Sequence, residues 1–342
     1  MKKILLTGAT GYIGSHGAVE LIEKGYIVTI LDNLSNSSIE VIDTIKKITG
    51  IKPEFYELDL RDKEGLENIF KENSFDCVIH FAGAKAVGES CDKPFFYYEN
   101  NIVGSLNLFE CMDKYNVKNI IFSSSATVYK SGEKLPFTEE TLTGNTTNPY
   151  GTTKLIIENI LRDLSIHKGF NVISLRYFNP IGAHFSGLIG ENPNDIPNNL
   201  LPFIMKVLSS ELPSLSVFGD DYNTVDGTGE RDYIHVSDLI IGHIKALNFI
   251  EKNSNNSSKS IFEVINLGTG KPNSVFEVIK VAENVTGKKI KYNIAPRRSG
   301  DVATVYCSPT KAKELLDWEA KKTLQDSIED GWKFKTNMNH NK

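Results

Sequence analysis

A glycine motif near the start of the chain constrains its fold more than any other feature. The motif is Gly8-Ala9-Thr10-Gly11-Tyr12-Ile13-Gly14. It follows a short apolar run at 3–7 and precedes a stretch with helical spacing at 12–23. Its GxxGxxG pattern is one residue longer than the common dinucleotide-binding pattern. Gly8 allows the tight turn, Gly11 lets the backbone approach a pyrophosphate, and Gly14 lets the helix pack closely on the strand. The motif alone is also compatible with a purely structural turn.

Asp32 strengthens the interpretation as a dinucleotide site. It ends the next predicted strand, 27–31, at the distance where a carboxylate accepts hydrogen bonds from the adenosine ribose hydroxyls. A carboxylate there repels a 2′-phosphate, which favours NAD over NADP. The alternative is that Asp32 only forms a turn with Asn33. Asp59, after the third strand, is predicted either to contact the adenine edge or to form a turn before Arg61.

Strand-length apolar runs alternate with helical stretches up to about residue 180. The predicted strands are 3–7, 27–31, 54–58, 77–81, 119–123 and 172–176, and the predicted helices are 12–23, 63–71, 100–114 and 150–165. This alternation predicts an α/β fold with a Rossmann-type doubly wound parallel sheet in residues 1–180. Residues 181–342 predict a smaller α/β substrate-binding domain with a helix near 200–210, and the segment around 234–265 is expected to return to the first domain. We also expect a polar loop at 251–260 and a frayed tail from Thr336.

Tyr150 and Lys154 lie four residues apart in a predicted helix and therefore share one face. A tyrosine has a pKa near 10, so it acts as a base near neutral pH only if its phenolate is stabilised. A lysine one turn away can do this, and so can the positive ring of oxidised NAD. Without the glycine motif, an ordinary surface pair would be the simpler interpretation.

Ser125 is the third candidate for proton-transfer chemistry. It follows the strand at 119–123, at the carboxyl edge of the sheet, where α/β folds bind their ligands. Its hydroxyl can bridge a substrate hydroxyl to Tyr150. Three serines stand in a row, so spacing alone does not distinguish Ser125 from a neighbour, and a structural turn remains the alternative.

Composition argues against several other classes of protein. The 342 residues carry a formal net charge of -5, which does not predict a nucleic-acid surface. The apolar runs are too short for a membrane span, and the run after Lys2-Lys3 meets Thr7 too early for a signal peptide. No histidines pair at ligand spacing, so we expect no metal site. The four cysteines lack CxxC spacing and predict reduced thiols in a cytoplasmic protein.

The motifs together resemble the extended short-chain dehydrogenase/reductase superfamily. The resemblance rests on the glycine motif, Asp32, Ser123-Ser124-Ser125-Ala126-Thr127-Val128-Tyr129 and Tyr150-Gly151-Thr152-Thr153-Lys154. Further segments, in their order and spacing, resemble the UDP-glucose 4-epimerase family within it. These are Leu31-Asp32-Asn33-Leu34, His80-Phe81-Ala82-Gly83, Lys85-Ala86-Val87-Gly88-Glu89-Ser90, Arg176-Tyr177-Phe178-Asn179-Pro180, Ile196-Pro197-Asn198-Asn199-Leu200, Asp226-Gly227-Thr228-Gly229-Glu230-Arg231-Asp232-Tyr233-Ile234-His235-Val236 and Ala295-Pro296-Arg297-Arg298-Ser299-Gly300-Asp301.

The resemblance implies reversible C4 epimerisation of UDP-galactose and UDP-glucose through a 4-keto intermediate, with tightly bound NAD. Tyr150 would take the proton of the C4 hydroxyl while NAD takes the C4 hydride. The catalytic residues it implies are Tyr150, Lys154 and Ser125. The NAD-binding residues it implies are Gly8, Gly11, Tyr12, Ile13, Gly14, Asp32, Asn33, Asp59, Leu60, Phe81, Ala82, Gly83, Lys85, Asn100, Ser125, Tyr150, Lys154 and Tyr177. The substrate-binding residues it implies are Ser125, Thr127, Tyr150, Phe178, Asn179, Asn199, Leu200, Val217, Phe218, Arg231, Tyr233, Arg298, Asp301 and Val305.

Two arginines suit the charge of such a substrate. A UDP-sugar carries a pyrophosphate with about two negative charges, and a guanidinium binds phosphate through two hydrogen bonds. Arg231 and Arg298 are the candidates, and Phe218 could pack on the uracil. The alternative for each arginine is a surface ion pair, for example with Asp232 or Asp301.

Two positions depart from the family pattern or vary within it. Lys130 stands where the family usually has glycine, which predicts a changed surface loop. Val305 occupies a position that is either a bulky aromatic or a small residue. The small choice leaves room for an N-acetyl group, so we expect UDP-N-acetylglucosamine and its galacto epimer to be accepted as well.

Two alternative functions and the expected oligomeric state remain to be considered. A 4,6-dehydratase or decarboxylase of the same superfamily is the nearest alternative, but a dehydratase needs a carboxylic acid beside the serine, where this chain has Ala126-Thr127. A non-catalytic dinucleotide sensor would have no reason to keep Tyr150, Lys154 and Ser125. The resemblance also implies a homodimer through the helices at 100–114 and 150–165.

Overall fold

The structure, a computed structural model, describes residues 1–192, 199–254, 259–298 and 300–340. Its strands are β1 (Lys3–Thr7), β2 (Ile27–Asp32), β3 (Glu54–Glu57), β4 (Cys77–His80), β5 (Asn119–Ser125), β6 (Asn171–Tyr177), β7 (Asn179–Ile181), β8 (Leu215–Phe218), β9 (Glu230–His235), β10 (Phe262–Leu267), β11 (Pro272–Ser274), β12 (Tyr292–Ala295) and β13 (Thr304–Val305). Its α-helices are α1 (Tyr12–Glu23), α2 (Glu40–Thr49), α3 (Lys63–Glu72), α4 (Val87–Asp92), α5 (Pro94–Tyr98), α6 (Gly104–Lys114), α7 (Pro149–Lys168), α8 (Leu200–Leu208), α9 (Val236–Asn253), α10 (Val275–Thr286), α11 (Thr310–Leu316) and α12 (Leu324–His340).

The main sheet has the strand order β10-β6-β5-β4-β1-β2-β3 within the described residues. The pairings of β1 with β2 and β4, of β2 with β3, and of β5 with β4 and β6 are parallel. The chain runs outward from β1 to β3 and then returns to place β4 on the other side of β1. The strand order therefore reverses between β1 and β4, and ligands of such sheets bind at the carboxyl ends beside that point. This confirms the predicted doubly wound Rossmann-type fold.

The chain forms two compact units. The first comprises residues 1–133, 139–177 and 240–265, and the second comprises 134–138, 178–239 and 266–342. In the first unit, an apolar cluster from β1, β4 and β5 packs with side chains of α3, α6 and α7. In the second, β9 pairs with β7, β11 and β13, β8 pairs with β12, and a separate cluster packs α8, α10 and α12 around these strands.

Several predicted elements change at their ends. The strand β5 runs on to Ser125, because Ser124 and Ser125 continue the register with Arg176 and Tyr177 of β6. The predicted helix at 100–114 contains a π-helical segment, Glu99–Val103, before α6. The prediction of a frayed tail from Thr336 is wrong, since α12 continues to His340 and the Asn337 amide donates to the Gly187 carbonyl oxygen at 3.1 Å.

Some expectations fall on residues outside the described ranges. The polar loop predicted at 251–260 is helical up to Asn253, and its residues 255–258 are among those outside. Ile196, Pro197, Asn198 and Ser299, which belong to quoted motifs, also lie outside. In the described ranges, no helix combines the length and apolar character needed to cross a bilayer. The same ranges hold no group of three His, Cys, Asp or Glu side chains arranged to bind a metal ion.

Candidate active site

The glycine motif forms a tight turn from β1 into α1. Gly8 has a φ of 68°, and a Cβ atom there would lie 2.6 Å from the backbone of Ala82. A Cβ on Gly14 would lie 2.5 Å from Cα of Ala9. Gly11 is the N-cap residue of α1, and no side chain caps the helix there. The turn thus brings backbone against backbone at an N-terminus of α1 that no side chain caps, and such a helix N-terminus suits an anion.

Asp32 lies at the carboxyl end of β2, where its side chain is only 8% exposed. One carboxylate oxygen accepts the Thr10 amide at 3.0 Å, and the other accepts the Leu34 amide at 2.9 Å. The Ser37 hydroxyl approaches the second oxygen at 3.4 Å. Asp32 therefore joins the glycine turn to the loop after β2. This turn-forming role and ribose binding are compatible, because a carboxylate accepts about four hydrogen bonds.

Asn33 and Asp59 meet beside this loop. The Asn33 amide donates to the Asp59 carboxylate at 2.9 Å. Arg61 donates to the same carboxylate from Nε at 2.9 Å and from Nη2 at 2.8 Å. These bonds hold the pKa of Asp59 well below its usual range. Leu60 is buried next to it, with the Asn107 amide bonded to its carbonyl oxygen at 3.0 Å.

The loop after β4 carries four of the predicted NAD-binding residues. Ala82 packs against Gly8, and the Phe81 ring lies 5.0 Å from the His243 ring. A Cβ on Gly83 would lie 3.3 Å from the Asn101 side chain. The Lys85 ammonium is 6.0 Å from the centre of the Tyr12 ring.

Asn101 is a residue that the sequence analysis missed. It is 3% exposed and lies in the π-helical segment. Its side chain accepts the Ala84 amide at 2.8 Å and donates to the Ala84 carbonyl oxygen at 3.0 Å and to the Thr153 hydroxyl at 3.1 Å. Asn100 donates to the same amide oxygen at 3.0 Å. Asn101 thus ties the loop after β4 to α7. The doublet Asn100-Asn101 inside a helical stretch was the available signal, since buried amides there need partners.

Local chemistry at the start of α7 positions Tyr150. The Asn148 side chain caps the helix by accepting the Gly151 amide at 2.8 Å, and Pro149 occupies the first turn. A Cβ on Gly151 would lie 2.7 Å from the Thr127 carbonyl oxygen. Glycine after Tyr150 therefore lets α7 approach the turn that follows β5. Lys154 comes one helical turn later, with its Nζ 5.8 Å from the centre of the Tyr150 ring.

Lys154 is buried with a single described acceptor. It is 4% exposed, and its ammonium donates to the Ser123 carbonyl oxygen at 2.6 Å. The Phe122 ring lies 4.9 Å from Nζ. Burial lowers the pKa of Lys154 to about 8, although the Glu158 carboxylate acts in the opposite direction. Lys154 is therefore a cation at neutral pH that loses its proton more readily than an exposed lysine.

Ser125, Thr127 and Tyr150 come together at the carboxyl end of β5. The Ser125 oxygen accepts the Thr127 amide at 3.2 Å and the Thr127 hydroxyl at 3.0 Å. Ser125 also forms a hydrogen bond with Tyr150 that lowers the pKa of the phenol, while burial raises it more strongly, so the net pKa is raised. Tyr150 therefore needs a further positive charge before it can act as a base near neutral pH.

Tyr177 lies behind this group on β6. Its hydroxyl bonds to the His243 imidazole and to Ser123, and burial raises the pKa of the phenol. The structure therefore brings together Tyr150, Lys154, Ser125, Thr127 and Tyr177 at one edge of the first unit.

In the second unit, four predicted substrate-binding residues are neighbours. Arg298 donates from Nε to Asp301 at 2.8 Å, and its guanidinium lies 4.9 Å from the centre of the Phe218 ring. Arg231 Nη2 is 3.9 Å from Asp301, and its Nη1 donates to the Glu230 carbonyl oxygen at 2.8 Å. The ion pairs considered as the alternative are therefore present for Asp301. They also hold both guanidinium groups at one place.

Tyr233 and Val305 lie on strands beside these arginines. Val305 pairs with Arg231 in register, and its side chain is half-buried. Tyr233 is 9% exposed, and burial raises the pKa of its phenol to about 12, against the opposing charges of Arg231 and Arg298. Val217 packs in the apolar cluster of the unit at 1% exposure. The structure therefore gives Val217 a place in the core of the unit and no exposed surface for a ligand.

The remaining predicted substrate-binding residues lie at element ends. Asn199 is the N-cap of α8, which begins at Leu200, and its amide donates to the Glu191 carboxylate at 2.8 Å. Phe178 is 7% exposed, and its amide donates to the Leu267 carbonyl oxygen at 3.4 Å. Asn179 begins β7 and pairs with Tyr233.

The residues of the first unit fit a dinucleotide. The uncapped first turn of α1 suits a pyrophosphate, and Gly8 and Gly14 stand where any side chain would clash. Asp32 lies at the end of the neighbouring strand, beside the point where the strand order reverses. A hydroxyl, a phenol and a lysine at the same sheet edge form a proton-transfer group for a reaction at a carbon that bears a hydroxyl.

Comparisons with known proteins agree with this geometry. The family model described as GDP-mannose 4,6 dehydratase matches residues 5–331. A UDP-glucose 4-epimerase of Bacillus subtilis is 53% identical over 334 residues, which cover 97% of this chain and 96% of the relative. The crystal structure of UDP-glucose 4-epimerase from Bifidobacterium longum, in complex with NAD+ and UDP, is 49% identical with a TM-score of 0.93 and covers 98% of both chains. The enzyme from Stenotrophomonas maltophila, with bound NAD and formylated UDP-arabinopyranose, is 42% identical with a TM-score of 0.95 and covers 100% of both chains.

The matching model and these relatives define the class as nucleotide-sugar enzymes of the extended short-chain dehydrogenase/reductase type. Within that class, the chain belongs to the UDP-glucose 4-epimerase family.

Proposed function

We propose that this chain is an isomerase that interconverts UDP-galactose and UDP-glucose at C4 with bound NAD. The observation that carries the proposal is the group formed by Tyr150, Lys154 and Ser125 at the edge of a sheet whose glycine turn fits a dinucleotide. Relatives that share about half of the sequence over nearly the whole chain are named UDP-glucose 4-epimerase, and a solved relative holds NAD+ and UDP.

Tyr150 acts as the base in this proposal, and Ser125 positions the reacting oxygen. Ser125 already bonds to Tyr150, so one substrate hydroxyl can contact both groups. Lys154 stabilises the phenolate from its position one helical turn away. The glycine turn from Gly8 to Gly14 and Asp32 would hold NAD, which when bound would supply a reversible hydride acceptor for C4, so that no net oxidation would occur.

The residues of the second unit bind the UDP portion in this proposal. The protein is acidic overall, so the pyrophosphate of the substrate needs local positive charge. Arg231 and Arg298 supply two guanidinium groups for it. Phe218 is 39% exposed and available to pack on the uracil. Because Asp301 already orients both arginines, less side-chain entropy is lost on binding.

The 4,6-dehydratase alternative is not supported, although the matching family model carries that description. Dehydration needs a carboxylic acid beside the serine. Here the position after Ser125 is Ala126, followed by Thr127, whose hydroxyl donates to Ser125. A non-catalytic sensor is not supported either, because it would not need Lys154 and Ser125 to lie beside Tyr150.

We further propose that the protein is a cytoplasmic homodimer of galactose metabolism. Cys77, Cys91, Cys111 and Cys307 form no disulfide within the described ranges, which suits a reducing compartment. The predicted dimer helices expose apolar side chains, including Val103 at 43% and Leu106 at 38%. Lys130 pairs with Glu133 at 3.1 Å, which supports a surface role for this departure from the family pattern.

Purified protein incubated with UDP-galactose and no added NAD tests the activity. We expect UDP-glucose to form, and Tyr150→Phe to lose at least about 100-fold in kcat because it removes the proton acceptor. Tyr292→Phe, which alters an exposed tyrosine on β12, is the matched control and should be unchanged. No conversion by the unaltered protein, even with NAD supplied, would refute the proposal.

A further inference from the structure

Glu158 occupies a place that the proposed reaction does not explain. Tyr150, Lys154 and Glu158 follow one another at four-residue spacing on α7, so they lie on one helical face. Glu158 is 4% exposed. A carboxylate at such a depth is rare unless it is paired, and here it lies one turn beyond the buried lysine of the site.

Two neighbouring strands hold this carboxylate. The Ser124 hydroxyl donates to it at 2.5 Å, and Arg176 donates from Nε at 3.0 Å and from Nη2 at 2.7 Å. Ser124 and Arg176 face each other in the register of β5 and β6. Glu158 thus fastens α7 to both strands through three charge-assisted hydrogen bonds.

Ser124, which contacts Glu158, lies between two serines that contact Lys154 and Tyr150. Ser123, which accepts the Lys154 ammonium at 2.6 Å, precedes Ser124. Ser125, which bonds to Tyr150, follows it. A shift of Ser124 would therefore move both the acceptor of Lys154 and the partner of Tyr150. Buried ion pairs often add little net stability compared with apolar packing, so this pair calls for another explanation.

We propose that Glu158 is a positioning residue for the epimerisation, which places a negative charge one helical turn beyond Lys154 and holds the Tyr150–Lys154 face of α7 against β5. The inference rests on the proposed function. Arg176 is the buried counter-ion of Glu158, and Ser124 transmits the position of the carboxylate to both neighbouring serines.

The charges around Lys154 agree with this role. On β4, burial and the nearby Lys154 lower the pKa of His80 to about 3, so the imidazole is neutral. Tyr177 on β6 and Tyr150 on α7 are neutral phenols with raised pKa values. Arg176 on β6 is a cation, and its pKa is raised by its pairing with Glu158. Glu158 is thus the anion that opposes the effect of burial on the pKa of Lys154.

Glu158→Gln tests the role while it preserves the side-chain shape. Loss of the carboxylate lowers the pKa of Lys154, so the alkaline limb of kcat against pH should move down by about one unit or more. KM for UDP-galactose should change less than threefold. The control is Glu67→Gln, which breaks an exposed ion pair with Lys114 and should leave the profile unchanged.

A double variant and a direct titration keep the test decisive if Glu158→Gln is unstable. Glu158→Gln with Arg176→Met leaves no unpaired buried charge, and it should fold while the alkaline limb stays shifted. An NMR titration of lysine labelled with 13C at Cε, with Lys154 assigned through Lys154→Met, should show this side chain protonated at pH 7 in the unaltered protein.

Three results would overturn the inference. The first is an unshifted profile in a folded Glu158→Gln protein, the second is a double variant with the original profile, and the third is a Lys154 that is neutral at pH 7. An equal loss of activity at all pH values would show a merely structural role. Failure of the unaltered protein to epimerise UDP-galactose would instead refute the proposed function.

Discussion

At the scale of single residues, Tyr150 cannot act as a base through its own environment. Burial raises the pKa of its phenol, and the bond from Ser125 compensates only in part. Lys154 is close, yet it is itself buried, with a pKa lowered to about 8. Activity should therefore fall as the pH rises past this value, because the ammonium that stabilises the phenolate is lost.

We propose that Val305 determines whether N-acetylated sugars are accepted. It is half-buried in β13, beside Arg231. Val305→Tyr should lower kcat/KM for UDP-N-acetylgalactosamine by at least about tenfold, since the ring would fill the space of the N-acetyl group. Activity on UDP-galactose should stay within about twofold.

Val225→Tyr is the matched control, because Val225 lies in the same unit at 83% exposure. Steady-state kinetics with both substrates would decide the matter. An equal loss of both activities in Val305→Tyr would contradict this role of Val305.

At the scale of helices and strands, His80 connects β4 with β1 and α6 through hydrogen bonds. Its imidazole bonds to the Thr7 hydroxyl of β1 at 2.7 Å and to the Ser105 hydroxyl of α6 at 2.8 Å, and it lies on β4 at 1% exposure. Burial lowers its pKa to about 3. The folded protein therefore binds no proton at this site over a range where the unfolded chain does.

This histidine should make the fold sensitive to acid. Its contribution to stability is complete above pH 6.5 and is lost progressively as the pH falls towards 3, by about 3 to 5 kcal/mol in total. His80→Gln should be less stable at pH 7 but should show a shallower loss in denaturant titrations between pH 6.5 and 4.5. The control is His167→Gln on the exposed side of α7. Parallel stability curves for His80→Gln and the unaltered protein would contradict the assignment.

Much of the sheet was predictable from the sequence, and the reason is physical. Strands buried on both faces are continuous apolar runs, so β1, β2, β4 and β6 stood out, within one or two residues at their ends. The strand β5 was predicted too short because Ser124 and Ser125 are polar, although they pair with β6. Helix α2, which buries only Ile42 and Ile45, was not predicted.

The site divides in the same way. Groups linked by short spacing, such as Tyr150 with Lys154, were predictable as a pair. The contacts of Glu158 with Ser124 and Arg176 were not predictable. These residues lie 34 and 18 positions away from Glu158 in the chain, and only the register of β5 and β6 brings them together. The role of Asn101 was hidden similarly, since its partners Ala84 and Thr153 come from distant parts of the chain.

At the scale of the whole molecule, the exposed apolar side chains of the first unit bear on assembly. They concentrate on α5, the π-helical segment and α6, where Phe95 is 88% exposed. Exposed apolar side chains grouped on neighbouring helical segments are typical of an interface. The same helices carry Asn101, so assembly would steady the loop after β4.

Leu106→Glu should therefore weaken the proposed dimer. A charge buried in an apolar interface costs several kcal/mol, so sedimentation at micromolar concentration should show monomer. Ile51→Glu places the same charge at an exposed isoleucine away from these helices and should leave the dimer intact. A monomeric unaltered protein would contradict the assembly.

The fate of the hydrogen at C4 tests the central claim most directly. UDP-galactose labelled with deuterium at C4 would be converted in ordinary water, and the UDP-glucose formed would be analysed by NMR. The account predicts that the deuterium remains at C4, because the bound cofactor carries it from one face of the sugar to the other. Replacement of the deuterium by solvent hydrogen would show that C4 is deprotonated instead, and it would contradict the account.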